Sequence, residues 1–280
     1  MKQRGLGRCE DMTNMQIYAR RAGGVAVASD YTPHWAKSGN NHAWSVVIGS
    51  DGNGYSPISG VAAKVYRKTF SEQLDSLGAK LDEGEKAPRW LKGKYYKDVT
   101  KSYVPTSDVS VVVTPSEHKY AYLCVFNSGH WKAIQWSDIE NNVASFSGMG
   151  RDILYLPAFF IDEEIVDAGH PFILHKDGST RTILNEGVKV SVSTYESTSD
   201  RVTYEGRTDE SISVPLKVGA QYKLHEWADG DWKEISTTIG TEEAMELSEV
   251  SSGSLYWLVN TDGDHEERPF TIEDSQIVRW

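Results

Sequence analysis

The chain is poor in cysteine, with two thiols, Cys9 and Cys124, in 280 residues. Two cysteines do not make a disulfide framework, so a packed core has to hold the fold. No run of eighteen apolar residues occurs, which excludes a helical membrane span. The opening MKQRGLGR lacks the apolar stretch of a signal peptide. No Cys/His/Asp group has zinc-like spacing, and the glycines of GMG (148–150) precede no phosphate-loop lysine. Neither a metal nor a cofactor is expected. Positive charge is also in deficit: 29 Lys and Arg face 40 Asp and Glu, a net of −11. Residues 1–100 carry 15 Lys and Arg against 10 Asp and Glu, while the remainder carries 14 against 30. An acidic second part argues against a nucleic-acid partner, because phosphates want a basic footprint.

What is present is an ordinary globular composition with many aromatics, long enough for two or three domains. EDMTNMQIYARRA (10–22) places Met12, Met15, Ile17, Tyr18 and Ala22 at helical spacing. Acidic residues stand in its first turn and basic ones in its last, and Gly23-Gly24 ends it. VAVASDY (25–31) and HAWSVVIG (42–49) read as strands, and SDGNG (50–54) as a hairpin-type turn. A helix is expected near 69–80, followed by DEGEKAPRWLKGK as a linker.

Cys9 stands at the first turn of the helix, where free backbone amides favour an anion; this predicts a lowered thiol pKa, helped by Arg8. His42 opens a strand. A thiolate to attack and an imidazole to protonate the leaving amine are the minimum for thiol-based acyl transfer. GRCED, YARRAGGVAVASDYTPHW and NNHAWSVV together resemble the transglutaminase-like superfamily of thiol enzymes: a Gly-x-Cys opening a helix, then a strand beginning HAW. AAKVYRKTF and GRDILYLPAFF are similar to transglutaminase-like proteins and cysteine proteases of Bacteroidetes.

The resemblance implies a papain-like α+β core, Cys9 as nucleophile and His42 as general base and acid, acting on a peptide or glycopeptide. It also implies an exported protein, extracellular or periplasmic, with a further segment ahead of the core. His34, Trp35, Trp44 and Arg8 are then expected to line the cleft. The family places an Asp on the strand after the His. Here Tyr55 takes the aromatic position before it, Ser59 stands near the Asp position, and Asp51 is the nearest carboxylate for orienting the imidazole. Asp51 also fits plain turn chemistry. Cys124, alternating within YAYLCVFN, reads as a core thiol.

From about residue 99 short strands dominate and the chain repeats itself. FNSGHWKAI (126–134) matches WADGDWKEI (227–235), and Leu154-Tyr155 matches Leu255-Tyr256, at one offset of 101. PFIL (171–174) and PFTI (269–272) close the two units, and VSV occurs at 109–111 and 190–192. Trp131 and Trp232 are equivalent, serving either as core or as sugar-stacking platforms. The expected organisation is an α+β transglutaminase-like (papain-like) core over 1–98 and two antiparallel β-sandwich modules over 99–178 and 179–280. Acyl transfer or hydrolysis at amide bonds is the expected activity. The alternative is a glycan- or peptide-binding scaffold on a vestigial core.

Overall fold

Acidic Glu10 and Asp11 near one end and Arg20 and Arg21 near the other give helix α1 (Cys9–Ala22) its polarity, and Asp11 accepts the Arg8 backbone N–H at 3.0 Å. The computed structural model describes residues 7–58, 60–185, 187–199, 212–263 and 267–280. After α1 come β1 (Val27–Thr32), β2 (His42–Val47), β3 (Tyr66–Lys68), the short α2 (Leu77–Lys80) and β4 (Tyr96–Asp98). They form an antiparallel sheet ordered β2-β1-β3-β4, with Thr32 opposite His42.

The next unit holds β5 (Thr106–Val112), β6 (Tyr120–Asn127), β7 (His130–Glu140), β8 (Val143–Gly150), β9 (Ile153–Ile161), β10 (Glu164–Asp167), β11 (Phe172–Leu174) and β12 (Thr180–Thr182). The sheet runs β12-β11-β9-β6-β7-β8-β5, and β7 pairs with β8 only at Ile139 and Glu140. The β5–β8 ladder is thereby free to fold over the rest. Val109 and Phe146 meet Leu123, Ile134 and Tyr155 in one core, a sandwich-like closure. The other face of β6, through Tyr122, Cys124 and Phe126, packs into a second core with Tyr66, Leu91, Trp227 and Trp280. Strand β6 is therefore buried on both sides, and that second core joins all three parts of the chain.

The last unit contains β13 (Lys189–Thr194), β14 (Glu196–Ser199), β15 (Ile212–Pro215), β16 (Gln221–Ala228), β17 (Asp231–Ile239), β18 (Met245–Ser251), β19 (Leu255–Asn260), β20 (Pro269–Glu273) and β21 (Gln276–Arg279). Its main sheet runs β17-β16-β19-β20-β21, while β13 pairs with β18 and β14 with β15. The order β7-β6-β9-β11-β12 in the preceding unit is the same path, and both hairpins carry a bulge, at Leu123/Cys124 and Leu224/His225. Tyr155 and Tyr256 each donate a hydroxyl hydrogen bond to a carbonyl five residues back, on Gly150 and Ser251.

This architecture corrects the α+β, papain-like expectation. Strands make up 49% of the structure and helices 10%, with two helices among the described residues, and all the sheets are antiparallel. The physical reason is visible in α1, which buries only Thr13 and Ile17, too narrow a stripe for a helical layer. The helix expected over 69–80 shrinks to Leu77–Lys80. The stretch read as a linker is packed: Leu91 is fully buried and Trp90 donates its indole N–H to the Ala133 carbonyl at 2.8 Å. After the SDGNG turn the chain does not return along β2, whose described partner is β1.

Candidate functional site

Helix α1 lies along β2 in matching steps. Thr13 Oγ1 donates to the Ala43 carbonyl at 2.9 Å; one turn on, Ser45 donates to Gln16 Oε1 at 2.7 Å and accepts from Arg20 at 3.1 Å. Since helix and strand advance together, Cys9, one turn before Thr13, comes to the end of β2 that begins with His42. The Ala43 main chain faces the Cys9 thiol.

Sequence-predicted residues divide here. The His42 ring is stacked between Trp35 and Trp44, with centroids 6.1 and 5.6 Å away, and Trp44 donates its indole N–H to Tyr103 Oη. Both tryptophans thus fix the imidazole plane rather than line a cleft. His34 and His42 themselves line the main groove, of about 1350 Å³. Arg8 does not; it is exposed and lies 3.8 Å from Glu10. Asp51 accepts from the Asn53 backbone at 3.0 Å and from its side chain at 3.1 Å, in the turn beyond the far end of β2. At ~3.4 Å per strand residue that is ~20 Å from His42, so Asp51 has turn chemistry and does not orient the imidazole. Ser59 lies outside the described residues.

The thiol also departs from expectation. Cys9 Sγ donates to Glu10 Oε2 at 3.1 Å. Burial pushes the thiol up, the Glu10 hydrogen bond and charge push it the same way, and the Ala43 main chain only partly offsets them. The helix-start effect is outweighed. Burial alone would raise Glu10, but the thiol's bond, its own backbone amide, Arg8 and Lys68 bring its carboxyl below the usual range. The resting pair is a thiol beside a carboxylate. Cys124 is fully buried and pushed up by burial alone, in keeping with a core thiol.

The groove is walled by all three parts of the chain. Tyr31, His34, His42 and Trp90 come from the first, Trp131 and Phe160 from the second, and Trp227 and Trp232 from the third. Trp131 and Trp227 are mostly buried and meet edge to face at 5.6 Å, and Trp227 meets Trp232 at 5.2 Å. Trp131 and Trp232 are therefore chiefly packing residues where the two β units meet, with their edges on the groove. Burial, then the charge of Lys132, takes His34 down to about 4, so its ring is neutral near pH 7.

Three residues of consequence escaped the sequence reading. In the sequence Glu10 stands out only as a helix-dipole residue, and its place beside Cys9 is the one signal of its role. Lys68 stands in AAKVYRKTF, which carries the resemblance without marking a site residue, and Trp90 in the stretch expected to be a linker. Among the described residues no group of His, Cys, Asp and Glu is arranged to hold a metal, and no helix is long and apolar enough to cross a membrane. No protein-family model, curated protein or solved structure matches the chain.

Proposed function

We propose that this protein performs thiol-dependent hydrolysis or acyl transfer at an amide bond of a peptide or glycopeptide lying in the groove, with Cys9 as nucleophile and His42 as base and acid. The observation that carries the reading is the α1–β2 register, which brings a helix-start cysteine to the strand end occupied by a groove-lining histidine. The resemblance of Gly-x-Cys and HAW to transglutaminase-like thiol enzymes supports it, and an exported location belongs to the same proposal on that resemblance alone. His42 takes the Cys9 proton and the sulfur adds to the carbonyl carbon. The C–N bond then breaks as the imidazolium protonates the departing amine, leaving a thioester. Water or a second amine releases the acyl group and restores the thiol.

A second reading, a peptide- or glycan-binding protein without turnover, is favoured by the thiol being held protonated by burial and Glu10. One experiment separates them. A peptidyl chloromethyl ketone is incubated with the protein from pH 5 to 10 and the labelled cysteine is found by mass spectrometry. The enzyme reading expects labelling of Cys9, not Cys124, near neutral pH, and only in alkaline buffer for His42→Ala. Identical pH profiles for both proteins mean that the two residues do not form a working pair.

A further inference from the structure

Charge along the groove is lopsided in a way the net charge of −11 hides. Of its carboxylates, Glu10 is 3.8 Å from Arg8, Glu163 is 3.4 Å from Lys86 and Asp231 is 3.6 Å from Lys233. Its cations are not so matched. Among the described residues Lys68, Arg89, Lys92 and Lys132 all line the groove, and none has a carboxylate within 4.0 Å. Against these four stands one unmatched acid, Glu164. Three of the four lie in the basic first hundred residues, so part of that excess is spent on this surface.

Two of the cations flank the catalytic end. Lys68 sits over the ring of Tyr31, at 5.8 Å, and Tyr31 is paired with Ala43 next to His42. The charge of Lys132 is felt by both His34 and His130, groove residues from the first and second parts of the chain. Trp90, Trp131, Trp232 and Phe160 also line the groove. At about 1350 Å³ the groove exceeds the roughly 300–1,000 Å³ of a small-molecule pocket, so it suits several residues of a chain.

We infer that the groove binds an acidic peptide segment, its carboxylates paired with Lys68 and Lys132 and its apolar parts against the tryptophan edges. Lysines with no carboxylate within 4.0 Å, facing an acidic ligand, raise its on-rate and disfavour basic chains. A polyphosphate chain offers the same sign but has no apolar parts to set against Trp90, Trp131, Trp232 and Phe160 of the groove. The inference rests on the groove being the substrate site of the proposed function.

The test is a binding measurement on full-length Cys9→Ala, which needs no thiol chemistry. Fluorescein-labelled ten-residue peptides of alternating Glu/Ala, Gln/Ala and Lys/Ala are compared by anisotropy in low salt. The Glu peptide is expected to bind at least tenfold tighter than the Gln peptide. That preference should fall within twofold in Lys68→Gln/Lys132→Gln and return in Lys68→Arg/Lys132→Arg. Equal binding of the Gln or Lys peptide, or a preference surviving the Gln substitutions in protein with an unchanged urea midpoint, overturns the inference. So does an oligothymidylate that displaces the Glu peptide at lower concentration. Selective binding by Cys9→Ala alongside unchanged Cys9 labelling in His42→Ala would sink the enzyme reading and leave the ligand class standing.

Discussion

The side-chain amide nitrogen of Asn127 lies 2.9 Å from the carbonyl oxygen of Trp35, and within 2.8 and 2.9 Å of those of Ser38 and Asn40. A buried residue of the second unit thus gathers the loop between β1 and β2, the loop that carries His34 and Trp35 and delivers His42.

Replacing Asn127 by Ala leaves those carbonyls without that donor, and a buried unsatisfied polar group costs about 1–3 kcal/mol. Urea unfolding measures that loss. A positioning role adds a second effect: the pH profile of Cys9 labelling in Asn127→Ala should move toward that of His42→Ala. A stability loss with an unmoved profile would mean that Asn127 holds the fold and not the histidine.

Arg268 does for the whole molecule what Asn127 does for the loop. Its side chain is buried, and its guanidinium donates to the carbonyls of Ala36, Phe126 and Trp280, one from each part of the chain. Arg268→Met removes those donors, and the expected loss is about 1–3 kcal/mol for each buried carbonyl left unsatisfied. Arg268→Lys should rescue little, because an ammonium cannot reproduce the planar fork. The urea midpoint decides, and a Lys variant as stable as the parent would contradict the geometry.

These long-range ties explain what the sequence could and could not reveal. Alternation exposed β1, β2 and the repeated hairpins, because one-sided burial writes itself into residue order. Cys9, His42 and His34 were legible from their setting at a helix start, a strand start and an aromatic pair. The helix expected over 69–80 is realised only at Leu77–Lys80; within that turn the Gly78 backbone lies against the Lys92 carbonyl, where an added Cβ would sit 2.2 Å away, and no local pattern records that approach. Asn127 and Arg268 act on loop residues 87 to 92 and 232 positions away, distances at which spacing says nothing. Asp51 misled because closeness in sequence along a strand is distance in space.

His34 gives a pH prediction of definite sign. Its folded value is down at about 4, first because of burial and then because of Lys132, against roughly 6.5 in an unfolded chain. A depressed folded value contributes stability that is fully present above pH ~6.5 and is lost as pH falls through about 4. His34→Gln should therefore lose less stability than the parent between those limits, measured by urea midpoints at pH 7, 5.5 and 4.5. The His34 ring resonances should still report a neutral imidazole at pH 5. A protonated ring there would remove the basis of the prediction.

Glu10 offers the sharpest test of how the thiol is held. Burial is the largest influence raising Cys9, and Glu10 adds to it twice, by accepting the thiol hydrogen bond and by its charge. Glu10→Gln removes the charge and supplies an amide N–H that can face a thiolate, so the thiol should ionise at lower pH. The iodoacetamide profile of Cys9 should shift toward acid, while buried Cys124 stays unmodified until the protein unfolds. Stability has the opposite dependence to that of His34. A thiol raised in the folded state contributes stability that is present below the unfolded value of about 8.5 and lost as pH rises above it; the part owed to Glu10 should vanish in Glu10→Gln. If Glu10 restrains the nucleophile, labelling by the peptidyl ketone at pH 7 should also become faster in that variant. Slower labelling with the same acid shift would instead make Glu10 a group the reaction uses, and an unmoved profile would show that burial alone holds the proton on Cys9.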